Sequence, residues 1–208
     1  MRIFFVRHGE TVWNREGRLQ GQADSPLTLR GVQLCLAYGD FLKSALAATA
    51  RERIGFYVSP LGRTRQTASL LGDALGVPLA AFTVDPLLAE HDVGELEGLG
   101  WSEIEARHGL TPEIWRRWDT PAPGGETRLD VLNRARRWLG ESRTHEISVV
   151  VSHGGLSRAF RTAYLGLDDA GRLELERHAH GHVFELDDGA CTAHEVVPAE
   201  DAPDSPLG

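Results

Sequence analysis

Three short stretches carry side chains that could meet around a phosphate. Arg7 and His8 follow the apolar run Ile3-Phe4-Phe5-Val6. Arg63 lies in Ser59-Pro60-Leu61-Gly62-Arg63-Thr64, and His153 precedes Gly154-Gly155. Four potential cations around one point repel each other unless an anion sits among them. Guanidinium forks match phosphate oxygens in a bidentate way. Gly154 and Gly155 let backbone approach closely, and the helix they open points its free N–H groups at the same place. A histidine with an ordinary pKa of ~6.5 can be neutral and nucleophilic near neutral pH. No aspartate cluster or Walker-type loop is present to hold magnesium, so the arginines would neutralise a transferring phosphoryl group. These residues alone leave open which histidine attacks.

The elements around them place all three stretches alike. Residues 3–6 and 54–58 read as short buried strands, and residues 147–151 as the clearest buried parallel strand. Each runs directly into its basic stretch. Helices are expected from Thr28 to about residue 50 (apolar stripe Leu34, Ala37 or Tyr38, Phe41, Ala45), over 63–75 and from 154 to about 165. Another covers 126–143, with Leu129, Leu132, Ala135 or Arg136, and Leu139 inward. A third strand is expected over 79–84, and a hairpin over about 182–196 turned by Asp187-Asp188-Gly189. The alternation predicts an α/β fold: a three-layer α/β/α sandwich around a mostly parallel central sheet. Basic residues at the carboxyl ends of neighbouring parallel strands converge on one crevice. Helical patches at 102–108 and 112–118 predict a small helical cap insertion at about 98–123. A single domain is expected over 1–197, with a Pro/Asp/Ala-rich disordered tail over 198–208.

Composition bounds the partners. The chain has 208 residues and a formal net charge of -8, with 22 Lys plus Arg against 30 Asp plus Glu. That balance argues against nucleic acid and against an anionic membrane surface. Cys35 and Cys191 fit no metal spacing and no disulfide framework. No apolar run reaches the length of a signal or a membrane span, so a cytoplasmic protein is expected. Oligomeric state is left open, a homodimer included.

With these readings made, the motifs resemble a family. Arg7-His8-Gly9-Glu10-Thr11 with Trp13-Asn14 resembles the opening of the histidine phosphatase superfamily, the phosphoglycerate-mutase-like proteins. Ser59-Pro60-Leu61-Gly62-Arg63-Thr64-Arg65-Gln66-Thr67-Ala68 is similar to its second motif. Leu88-Ala89-Glu90 through Gly94, Glu97 and Gly98 resembles its acid/base loop, and Val151-Ser152-His153-Gly154-Gly155 its last motif. The resemblance implies that His8 attacks phosphorus and becomes phosphohistidine. It implies that Arg7, Arg63 and His153 hold the phosphoryl oxygens. Glu90 would protonate the leaving oxygen and then activate water. Asn14, Gln20 and Gly21 would line the pocket entrance, with Gly154 beside the phosphate. No metal and no cofactor is implied.

Other residues divide between sharper and blander roles. His178, His180 and His182 alternate on an expected strand and would share one face. A polar sheet edge is preferred to a zinc site, because no carboxylate or cysteine is placed with them. Trp101, Trp115, Trp118 and Trp138 read as packing groups, with Trp115 and Trp118 near substrate. Arg116-Arg117 resembles the substrate-binding insertion of the mutases, whereas Pro123-Gly124-Gly125-Glu126-Thr127 resembles the phosphatase branch. The short cap would let water reach a phosphohistidine and favour hydrolysis. The expected activity is therefore metal-independent hydrolysis of small phosphorylated metabolites, a phosphoric monoester hydrolase. A 2,3-bisphosphoglycerate-dependent phosphoglycerate mutase is the alternative, and a non-catalytic phospho-ligand binder a third reading.

Overall fold

Ile3, Phe4, Phe5 and Val6 point alternately to opposite faces of their strand, and all four are fully buried. That strand, β1 (Arg2–Arg7), must therefore be covered on both sides. A computed structural model describes residues 1–115, 117, 120–141, 144–168, 171, 175 and 177–196. It places β1 inside a six-stranded sheet with β2 (Ile54–Val58), β3 (Thr83–Val84), β4 (Ile147–Ser152), β5 (His182–Asp187) and β6 (Ala190–Glu195), in the order β3-β2-β4-β1-β5-β6. The first four strands run parallel, and β5 and β6 add an antiparallel edge. On one face Phe4, Val6, Val149 and Val151 pack against Leu34, Tyr38 and Leu71 of α2 (Leu29–Ala45) and α3 (Gly62–Leu75). On the other, Ile3, Phe5 and Val150 meet Leu132, Ala135 and Trp138 of α6 (Arg128–Gly140), and Leu156 and Phe160 of α7 (Gly154–Leu165). Each buried Val, Leu, Ile or Phe among them contributes about 1.5–3 kcal/mol.

Between β1 and α2 lies the short α1 (Val12–Glu16), capped by Thr11. Two short helices, α4 (Trp101–His108) and α5 (Pro112–Trp115), follow the acidic loop. They enclose a separate apolar cluster of Leu19, Val93, Leu96, Ile104, Trp115 and Ala122. The cap thus has a small core of its own beside the carboxyl ends of the strands.

Several elements depart from expectation. α2 ends at Ala45, not near residue 50, because Leu46 turns inward and Thr49 N–H bonds back to its carbonyl. Its buried stripe runs through Gly31, Leu34, Cys35, Tyr38 and Leu42, leaving Phe41 and Ala45 only half-covered. The expected strand over 79–84 shrinks to Thr83–Val84, with a 3-10 turn at Leu79–Ala81. Alanines are poor strand formers, and this edge segment has only β2 to pair with. α6 spans Arg128–Gly140 and buries Val131, Leu132, Ala135 and Trp138. Leu129 is exposed; at about 100° per residue it sits well round the helix from Ala135. Arg116, Trp118 and the tail over 198–208 lie outside the described residues.

Candidate active site

Three strand ends meet at one point. The His8 amide extends the β1–β4 ladder by bonding Ser152 O at 2.9 Å, and Ser59 N does the same to Val151 O at 3.1 Å. His8, Ser59 and His153 therefore leave the sheet side by side. The His8 and His153 ring centroids lie 5.3 Å apart, and His180 lies 5.8 Å from His8 on another side. Arg7, His8, Arg63 and His153 are all at least nine-tenths buried.

His8 is oriented by its own chain. Nδ1 lies 2.8 Å from Gly9 O. A carbonyl only accepts, so Nδ1 carries the proton and Nε2 keeps its lone pair. The Gly9 amide is in turn held by Thr67 Oγ1 at 3.0 Å, which donates to Arg63 O. Burial, then the charges of Arg63, His153 and Arg7, push the His8 pKa well below the usual histidine range. Burial, Arg63 and Arg7 do the same to His153. Both rings are thus neutral near pH 7, and His153 Nε2 pairs with Ser59 Oγ at 2.7 Å.

The arginines are fixed at one edge and open at another. Arg7 Nη1 donates to His178 O at 2.6 Å. Arg63 donates to Gly21 O, Ala23 O and the Asp24 carboxylate at 2.6–2.9 Å. Arg7 Nε, Arg63 Nε and His153 Nδ1 have no hydrogen-bond partner within the described protein. A buried donor left without an acceptor costs about 1–3 kcal/mol.

Glu90 lies across the cleft. Its carboxylate accepts from Gly155 N at 3.0 Å, Leu156 N at 2.9 Å and His91 N at 2.8 Å. The first turn of α7, expected to present free N–H groups to the ligand, thus gives two of them to Glu90. A Cβ on residue 155 would sit 2.6 Å from Glu90 Oε1, so glycine there permits the carboxylate's approach. The cleft encloses about 180 Å³, and Arg7, His8, Arg63, Glu90, Gly154 and Gly155 form its inner wall. Asn14, Gln20 and Gly21 also line it, but Gln20 and Gly21 are buried and Gly21 O holds Arg63, so these two are not rim residues; His153 is not part of the lining and packs beside His8. Asn14 Oδ1 is engaged by Thr11, closing the cap of α1.

Sequence reasoning missed several contributors. Asp24 caps α3 through Gly62 N and Arg63 N while pairing with the Arg63 guanidinium. Arg134 and Glu126 brace the loop that carries Glu90. His91 Nε2 donates to Glu126 O at 2.8 Å, and its ring stacks on Trp115 at 5.3 Å. Burial works against a charge on Glu126, but Arg134 and the Asp92 amide bring its pKa below the ordinary value. Glu126 stands out in the sequence through the Pro123-Gly124-Gly125-Glu126-Thr127 resemblance, but nothing there marks Arg134 as its partner.

The histidine trio is corrected. His178 and His180 are buried before β5 begins, and neither sits on a sheet edge. His178 Nε2 donates to His182 O and Nδ1 meets Ser157 Oγ, so both nitrogens are used. Among the described residues no group of three His, Cys, Asp or Glu is arranged to hold a metal. The expectation of Trp101, Trp115 and Trp138 as packing groups holds, and Trp101 and Trp115 also face the cleft. Among the described residues no helix is long and apolar enough to cross a membrane.

Strand-end histidines and arginines on this sheet define a phosphoryl-handling α/β protein. Residues 3–197 match the histidine phosphatase superfamily (branch 1), and the chain belongs to that family. A curated relative from Salmonella paratyphi C, named "Probable phosphoglycerate mutase GpmB", is 34% identical over 176 residues, covering 80% of this chain and 76% of the relative. A mycobacterial glucosyl-3-phosphoglycerate phosphatase, solved with VO3, superposes with a TM-score of 0.76 at 30% identity, over 89% of this chain and 92% of that one. The alpha-ribazole phosphatase of Shigella flexneri shares the fold, with a TM-score of 0.75 at 23% identity, over 94% and 95% of the two chains.

Proposed function

We propose that this protein is a metal-independent phosphomonoesterase that hydrolyses small phosphorylated metabolites through phosphohistidine at His8. The observation that carries this reading is the His8 ring, held with Nε2 unprotonated between buried Arg7, Arg63 and His153, with the Glu90 carboxylate in the same cleft. His8 Nε2 attacks phosphorus and the bond to the ester oxygen breaks. Glu90 supplies the proton that this oxygen needs as it leaves. Arg7, Arg63 and His153 take the charge of the transferring group. In the second step Glu90 accepts a proton from water, the water oxygen bonds phosphorus, and the P–N bond breaks. Inorganic phosphate and neutral His8 result.

Asn14, Gln20 and Gly21 serve as substrate contacts in this reading, and Gly154 leaves room beside Arg7. Arg128, Arg158 and Arg177 line the outer cleft, which suits substrates with a further anionic group. The likeness to a glucosyl-3-phosphoglycerate phosphatase supports the hydrolase class. The curated relatives named as phosphoglycerate mutases support the alternative of 2,3-bisphosphoglycerate-dependent isomerisation. Supplying 3-phosphoglycerate with trace bisphosphoglycerate separates the two. Hydrolysis predicts free phosphate as the main product, and dominant 2-phosphoglycerate formation without phosphate release overturns it.

A further inference from the structure

Arg134 sits on α6, is not among the residues that line the cleft, and bonds the loop that carries Glu90. Its Nε and Nη2 grip the two oxygens of Glu126 at 2.8 Å each. Nη1 donates to Leu87 O and Ala89 O at 3.0 Å, and Nη2 to Glu90 O at 3.2 Å. One guanidinium thus holds three carbonyls from four consecutive residues, ending at Glu90 itself. Glu126 returns to the same loop by accepting from Asp92 N at 3.0 Å. The Glu90 side chain is fixed from the other direction by the first turn of α7. Ser152 Oγ, at the end of β4, adds a bond to Leu88 O at 2.8 Å. The loop would otherwise hang on a glycine-punctuated stretch with no regular secondary structure beyond 3-10 turns.

We propose that Arg134, clamped by Glu126, is a positioning residue that sets where the Glu90 carboxylate stands relative to the ester oxygen. The inference rests on the reading of Glu90 as the acid and base of the reaction. A planar fork with five donors can serve a carboxylate and three carbonyls together, and a lysine ammonium with three donors cannot. Loosening the loop moves the proton donor without touching the phosphoryl pocket. A displacement of about 1 Å from a remote change can cost about 100-fold in rate.

Leaving-group dependence separates this role from simple structural support. An alkyl phosphate needs a proton on its departing oxygen, whereas p-nitrophenolate leaves without one. Arg134→Ala and Arg134→Lys are expected to lower kcat/KM for an alkyl phosphate by about 10–100-fold. For p-nitrophenyl phosphate the change should stay within about threefold, with a new burst of p-nitrophenol because water activation is slowed. Glu126→Gln, which keeps the side chain's shape, should show the same split at roughly three- to tenfold. It carries the test if the Arg134 variants do not fold. Equal losses on both substrates, or no loss, would overturn the inference. Glu90→Gln is the control. If it shows no leaving-group dependence, the acid/base reading itself fails. If it shows the split and the Arg134 and Glu126 variants do not, only the positioning role fails.

Discussion

The two ends of the cleft are built on different principles. Apart from Glu90, the inner end is made of residues at or just beyond the ends of neighbouring strands, so their positions follow from the β1–β4–β2 ladder. Arg7, His8, Arg63 and His153 have almost no freedom to move without disturbing the sheet. The outer end is made of a loop, two short helices and a small apolar cluster around Ile104 and Trp115. Its charged groups, Arg128 and Arg158 among them, stand half-buried at best. A rigid inner end suits chemistry common to many phosphoesters. A softer rim is where selectivity among substrates would be set.

Removing His8, the proposed nucleophile, tests the contrast most severely. His8→Ala should lose activity by about 10⁴-fold or more while the fold persists, as a circular dichroism melt would show. Activity within tenfold of wild type would break the division of labour. A smaller loss is expected for Gly155→Ala, whose methyl would meet the Glu90 carboxylate. We expect kcat to fall by about 10–100-fold from this misplacement, with KM for an alkyl phosphate nearly unchanged. An unaltered kcat would show that Glu90 does not need its place at the start of α7.

The buried inner end also predicts a pH dependence of stability. Burial first, then neighbouring cations, holds His8, His153 and His178 well below the ordinary histidine pKa. The unfolded chain takes up protons at these positions near pH 6.5 while the folded chain does not. Stability is therefore full above that pH and is lost as pH falls through it. The loss approaches about 1.4 kcal/mol per pH unit for each histidine. Thermal melts in phosphate-free buffer should be level from pH 8 to 7 and fall steadily from 6.5 to 5.5. A level Tm across the lower range would contradict the neutral state of these rings. The smallest effect belongs to the rim: Arg158→Ala should raise KM about three- to tenfold for a substrate with a second anionic group, leaving kcat within about twofold. A large kcat effect there would blur the distinction between the two ends.

The same contrast explains what could be read from the sequence. His8 and His153 each follow a compact apolar strand directly, and Arg63 comes one short turn after another, so strand and cargo are nearly contiguous. Ile3 to His8 and Ile147 to His153 are examples. The sheet order and the two covering layers follow from those alternations. Contacts through main-chain carbonyls leave no such trace. Arg134 bonds carbonyls 44 to 47 positions away, and side-chain identity at 87 and 89 has no part in it. His178, His180 and His182 show a strand-like alternation, but the first two precede β5 and turn inward. His178 serves Arg7 with its carbonyl, not its ring. Leu129 carries an apolar side chain on a helix whose inward face is set by Val131, Ala135 and Trp138. Helix periodicity alone admits either phase when both contain leucines.

The central claim is that His8 accepts the phosphoryl group. Rapid-quench mass spectrometry on a turning-over phosphomonoester, under conditions that preserve acid-labile phosphate, addresses it directly. We predict one added phosphoryl group on His8, formed and lost at rates compatible with turnover and absent from His8→Ala. A fully active enzyme with no adduct at His8, or with the label on another residue, would contradict the account.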